Sequence, residues 1–262
     1  MHNFLRSNKS ALIEGKKSKM KKSENFIHPP SIVPLQQSAI KGLKNDGEMK
    51  EDSIRVKVVA NTANFMDSDF DVLLPNAAKK SISERRDKIP HIADHIYKAD
   101  SKVGEVADIM LQDVSYSELG LPGNGATQAI VFVTDVFKSY NEKLFEQYKR
   151  GTANQHSIGL WYVKVELALD APDDKRHFEI WEKYRGQIIN GEKADQFGFF
   201  WAVSEIKLIE NSTVLFGANE ITPILATENQ EEKSVKPSAD TRENEPPEGT
   251  QSRNSEGFNF YL

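Results

Sequence analysis

The 262-residue chain has no cysteine. Disulfides, thiolate metal sites and thiol catalysis are therefore excluded, and the composition agrees with a reducing compartment. No apolar run reaches the length of a membrane span, so no membrane partner is expected. The opening residues, MHNFLRSNKSALIEGKKSKMKK, lack the long apolar stretch and small-residue cleavage site of a secretory leader. Large apolar residues are scarce at both ends. What remains, 38% hydrophobic and 28% charged overall, suffices for one sizeable core with residues left over for tails.

The formal net charge of −5 is unevenly spread. Residues 1–50 hold ten Lys/Arg against four Asp/Glu, and residues 227–262 hold four against eight. These compositions predict a flexible basic arm over 1–50 and a disordered acidic tail over 227–262. The folded domain is expected over 51–226. The arm lacks the interleaved aromatics on which single strands stack, so nucleic acid is not expected as a partner.

Within the domain, strands are predicted at Ile54–Ala60, Lys102–Leu111, Thr127–Phe137 and His156–Leu169, with one or two more over Phe197–Phe216. Helices are predicted over Pro75–Lys88, Ser139–Gly151 and Asp173–Gly186, with Ser139 as an N-cap and Gly151 as a stop. Strands outnumber the scattered helices. The expected fold is α+β, a mixed or antiparallel barrel-like core with flanking helices.

The stretch GTANQHSIGLWYVKV (Gly151–Val165) sets Ser157 at the mouth of a strand. Alternation puts Ser157, Gly159, Trp161, Val163 and Val165 on one face, the more apolar one, and His156 on the other. His156 is thus a poor base for its neighbour. Alone, Ser157 reads as a hydroxyl bonding its own backbone at a strand start. As a nucleophile it needs a base, and that base needs an orienting group. His2 and His28 lie in the arm. His177 lies in the charged segment DDKRHFEIW and is expected to face solvent. His91 and His95 remain. Their spacing fits a helical metal pair, but Ile92 stands where a zinc protease has Glu, and Pro90 disfavours a helix interior. Asp67, Asp69 and Asp71 begin like a calcium loop, but Val72 and Ala78 replace its glycine and its bidentate glutamate. No metal and no cofactor are expected. In VSEIKLIENSTV (Val203–Val214), Glu210 shares the apolar face with Ile206 and Leu208. A buried carboxylate there requires a partner, and a histidine would serve.

Four segments in chain order resemble the prohead maturation serine proteases of HK97-like tailed phages. They are DSDFDVLLPNAAKKSI (Asp67–Ile82), IPHIADHIYKADSKVGEV (Ile89–Val106), QHSIGLWYV (Gln155–Val163) and SEIKLIENSTVLFGANEITPI (Ser204–Ile224), and the likeness spans Val56–Ala226. The chain departs from the family pattern at Phe70-Asp71, Ala93 and Gly217-Ala218-Asn219. The resemblance implies a herpesvirus-assemblin-like fold, with Ser157 as nucleophile, His95 as base and Glu210 as orienting acid. It also implies an endopeptidase that cleaves scaffold, capsid-protein segments and its own tails inside the assembling procapsid, in the host cytoplasm. Related viral proteases suggest a homodimer. The alternative is a catalytically inactive capsid-assembly protein on the same fold. A more distant one is a binding module whose basic arm contacts nucleic acid.

Overall fold

The computed structural model describes residues 2–18, 20–21 and 52–229. The expected acidic tail from residue 230 onward and the arm over 22–51 lie outside the described residues. In chain order the elements are α1 (His2–Ser18), β1 (Met20–Lys21), β2 (Ser53–Thr62), β3 (Asp71–Leu73), α2 (Lys79–Arg85), β4 (His91–Ala93), β5 (Lys102–Ser115), β6 (Ala126–Phe137), α3 (Glu142–Lys149), β7 (His156–Leu169), α4 (Lys175–Tyr184), α5 (Gly191–Phe197), β8 (Phe199–Thr213) and β9 (Ile224–Asn229). The last strand carries the folded part three residues past the expected boundary at 226.

All strands join one mixed sheet in the order β1-β7-β8-β4-β5-β6-β2-β9, with β3 also pairing with β8. Most neighbours are antiparallel, but β3 and β4 run parallel to β8. The long β5–β6 hairpin and the β7–β8 pair form its two halves. Val56, Val58 and Phe132 from one half share a core with Leu160 and Leu208 from the other, so the sheet curls around them. Its end strands β1 and β9 are not paired with each other, and the ladder is open. The barrel-like closure expected from the sequence is not seen among the described residues.

Alternation of β-branched and polar residues explains why β2, β5 and β6 were legible. In α3 the cap is Asn141, whose side chain accepts from the Leu144 N–H at 3.0 Å, rather than Ser139. Gly151 ends that turn with φ +70°, a left-handed conformation that glycine adopts without strain.

The start of the basic arm is not a flexible tail but helix α1. Leu5, Lys9, Leu12, Ile13 and Lys16 recur at helical spacing and form one face. Leu5 is buried, and Leu12 and Ile13 pack on the main core. The two lysines interrupt this stripe, which is why it reads as solvated. In the fold both are neutralised: Lys9 pairs with Asp174, and Lys16 reaches the fully buried Asp71. The Lys16 ammonium also stands over the rings of Tyr162 (4.8 Å) and Trp201 (5.1 Å), and Tyr162 donates its hydroxyl to Asp71. Asp71, the third carboxylate of the incomplete calcium-loop pattern, does not face a metal-sized gap of solvent-exposed ligands. Instead it is the buried anchor of α1, and Asp67 closes the turn by accepting from the N–H groups of Asp69 and Asp71 at 2.9 Å each. His177, expected at the surface, is buried and bonds Asp174 at 2.9 Å, the carboxylate that Lys9 also holds.

Candidate active site

The two long strands β7 and β8 set the frame. Their register pairs Ser157 with Ser212, and Gly159 with Glu210. These four residues lie on one face of the sheet. The core lies on the other face, where Ile158, Leu160 and Tyr162 are buried. Trp161 and Val163, expected to make the Ser157 face apolar, are 38% and 45% exposed. Ser157 is therefore on the outer face of the sheet, and it is covered locally instead of by the core.

Glu210 reaches this face through a bulge. Leu160 pairs with Leu208, and the next residue back, Gly159, pairs with Glu210, so Ile209 is the extra residue in β8. One unpaired residue reverses the alternation. Leu208 points into the core, and Glu210, two residues on, points to the Ser157 face. The expectation that Glu210 shares the face of Ile206 and Leu208 is corrected by this single insertion.

His95 arrives from β4, which lies beside β8 with Ala93 opposite Thr213. The chain turns immediately after the strand. The Ile96 N–H bonds the Ala93 carbonyl at 3.0 Å, and the central residues Asp94 and His95 have φ +51° and +54°. Two positive φ values inside such a bond define a type I′ turn. Non-glycine residues in this region cost on the order of 1–3 kcal/mol each. The strain is offset by a fixed position for the ring. The His95 backbone N–H is held by the Ser212 hydroxyl at 3.1 Å, and its Nδ1 lies 2.7 Å from Glu210 Oε1.

Glu210 has no exposed surface (0%), so its charge needs donors. It has three. His95 Nδ1–H and the Tyr97 hydroxyl (3.4 Å) address Oε1, and the Ser212 hydroxyl donates to Oε2 at 2.8 Å. Burial, together with the proximity of this carboxylate, raises the Tyr97 pKa and keeps its phenol protonated. With Nδ1 committed to Glu210, His95 Nε2 must be the acceptor nitrogen of the neutral ring. That atom is buried and has no hydrogen-bond partner. The Ser157 hydroxyl is accordingly not bonded to it. Ser157 is the diagonal neighbour of Glu210 across the ladder, at about 7–8 Å between backbone positions, a span that one imidazole fills.

Sequence reasoning singled out Ser157, His95 and Glu210 but missed Tyr97, Ser212 and Gly159. Gly159 is required by space. A Cβ there would meet Glu210 Oε1 at 2.3 Å and the Tyr97 hydroxyl oxygen at 2.8 Å. Gly159→Ala is expected to push the carboxylate off His95 and to slow any reaction that depends on the His95–Glu210 pair about 100-fold, the scale of a 1 Å misplacement. The measurement is a rate on purified protein with the melting temperature as control. An unchanged rate would show that the Glu210 position does not matter.

His91 and His156 form a separate cluster on the core side. His91 Nδ1 lies 2.9 Å from Thr134 Oγ1, and its Nε2 lies 2.9 Å from Thr213 Oγ1. Tyr148 bonds Thr213 Oγ1 (2.7 Å) and His156 Nε2 (2.8 Å), and His156 Nδ1 faces the Thr222 carbonyl at 3.0 Å. All the proton positions follow from that last contact. A carbonyl only accepts, so Nδ1 of His156 carries the proton and Nε2 accepts from Tyr148. Tyr148 then accepts from Thr213, Thr213 from His91 Nε2–H, and His91 Nδ1 from Thr134. Burial lowers the pKa of His156 to about 4 and of His91 well below its usual range, the latter helped by its proximity to His156. Burial also raises that of Tyr148. Both rings are neutral structural groups and unsuited to metal binding or catalysis, since their nitrogens are committed. Among the described residues no cluster of three or more His, Asp or Glu is placed to hold a metal ion.

No protein-family model, curated protein or solved structure matches this chain.

Proposed function

We propose that the chain is a serine endopeptidase of the prohead-maturation kind. It would cleave scaffold and capsid-protein segments during phage head assembly within the host cytoplasm. The observation that carries this reading is the buried His95–Glu210 pair, with the unpartnered His95 Nε2 on the same sheet face as Ser157. In the proposed mechanism, Nε2 takes the Ser157 proton as the hydroxyl oxygen attacks the scissile carbonyl. It then returns that proton to the leaving amine. Water then attacks the acyl carbonyl, giving up a proton to Nε2, and Nε2 passes that proton to Ser157 Oγ as the acyl-serine bond breaks. Glu210 fixes the tautomer and stabilises the imidazolium formed at each step. Catalytic hydrogen bonds commonly tighten only when substrate is bound, so the unmade Ser157–His95 bond fits a substrate-free site. The curled sheet fits the barrel-like assemblin fold as the proposed ancestry, with a homodimer as the proposed assembly.

The test is co-expression with the capsid protein of the same genome, comparing the native chain with Ser157→Ala. Processing is expected in the first and none in the second. Equal processing in both would overturn the endopeptidase reading. Folded protein with no processing in either would favour the catalytically inactive assembly protein.

A further inference from the structure

The hydrogen bonds on the core side of the sheet form one continuous chain. It runs from Thr134 through His91, Thr213 and Tyr148 to His156, and ends on the Thr222 carbonyl. The links measure 2.9, 2.9, 2.7, 2.8 and 3.0 Å in that order. A longer contact of 3.3 Å joins Tyr148 to His91 Nε2 alongside it. Every member is buried. The titratable members are His91 on β4, His156 on β7 and Tyr148 on α3, while β6, β8 and the Thr222 segment contribute hydroxyls and a carbonyl. The carboxylates beside them in sequence are engaged elsewhere. Asp135 on β6 is held by Arg55, and Glu210 on β8 by His95. No charged side chain among the described residues bonds any member of the chain.

We propose that His91 and His156 share one extra proton through Thr213 and Tyr148, which makes the cluster a one-proton switch behind the site. With the proton on His91, its Nδ1–H points at Thr134 and the rest of the chain keeps its neutral ordering. To reach His156, His91 Nε2 gives its hydrogen to Thr213 Oγ1, Thr213 gives its own to the Tyr148 oxygen, and Tyr148 gives its own to His156 Nε2. Each bond to hydrogen breaks as the next one forms. One proton thus passes from ring to ring and the links between them reverse, with no heavy atom displaced. In both forms every link keeps one donor and one acceptor. The surplus hydrogen sits on Thr134, whose hydroxyl can turn to nearby backbone. A second proton has no such place. Both Nε2 atoms would then donate into the Thr213–Tyr148 pair and leave one buried hydroxyl hydrogen without an acceptor. Two cations with ring centroids 6.0 Å apart would also repel. Burial already opposes the first charge, so uptake belongs to acid conditions and stops at one. Strands β4, β7 and β8, which carry His95, Ser157 and Glu210, stay linked in each singly protonated form. The switch does not depend on the endopeptidase reading.

The test is NMR of the full chain labelled with nitrogen-15 in histidine. At pH 7.5 His91 is expected to carry its proton on Nε2 and His156 on Nδ1. As the pH is lowered toward 4.5, the ring nitrogens of both should respond together, in one common step that takes up one proton for the pair. Thr213→Val and Tyr148→Phe each remove one hydroxyl of the relay. In either variant one ring should respond alone, with the other lagging by roughly tenfold or more in proton concentration. The opposite tautomer at either ring, a native response confined to one ring, or uptake of two protons by the folded chain would each overturn the switch. So would unfolding that precedes any response, or variants in which the rings still respond together. The tautomer measurement needs only the native chain and decides the matter even where a variant fails to fold.

Discussion

On the proposed endopeptidase reading, replacing His95 with alanine is expected to lower cleavage of the capsid-protein substrate about 1,000-fold or more. A serine hydroxyl is a weak nucleophile near neutral pH, and its activation depends on one acceptor nitrogen. No other imidazole of the domain can substitute. His156 is adjacent in sequence but lies on the core face, with both nitrogens committed to Tyr148 and Thr222. His91 is equally committed to Thr134 and Thr213. Glu210→Gln keeps the volume but removes the charge that fixes the tautomer, and it should cost a comparable factor. The two losses should not add, because both residues act through one ring. Rates in the single and double variants measure this. A His95→Ala protein that cleaves at more than a tenth of the native rate would remove the base from the mechanism.

The second large effect is on stability. The domain should lose roughly 3 kcal/mol through His156 alone as pH falls from above 6.5 to about 4. The sign follows from the direction of the shift. The folded pKa is depressed, so the unfolded chain takes up a proton that the folded one refuses. The stabilisation is complete above the ordinary histidine pKa and disappears as pH falls toward the folded value. His91 is shifted the same way and deepens the loss. Asp174, lowered to about 2 by His177 and Lys9, acts only at more acid pH, so the two effects separate. Urea midpoints at pH 7.5, 6, 5 and 4.5 measure the slope. In His156→Gln, where an amide replaces the ring, the slope should become shallower. A flat profile across this range would contradict two buried neutral histidines.

The sequence made visible what alternation encodes and concealed what pairing encodes. The strands β2, β5, β6, β7 and β8 carry long runs of β-branched and aromatic residues, and their positions were legible. The separation of His156 from Ser157 followed from parity alone. Parity cannot say which face meets the core, and here the buried side is that of Ile158 and Leu160. Nor can it register a bulge before the partner strand is known. Glu210 was singled out on a face it does not occupy. Helix α1 was hidden because Lys9 and Lys16 look solvated until Asp174 and Asp71 are found beneath them. Tyr97 and Gly159 carry no local signal. Their roles exist only once Glu210 stands across the ladder from Gly159.

The extra residue at Ile209 has a further consequence for variation in this protein. Identity at 209 is lightly constrained, because an unpaired bulge position accepts many side chains. Its loss would also be local. Deleting Ile209 would remove the bulge and leave Leu208 opposite Leu160 and Glu210 opposite Gly159, each on the face it now occupies, so only the bend and twist of β8 would change. At a regularly paired position of the strand a single-codon deletion would exchange the addresses of every later side chain, whereas at this bulge it would not.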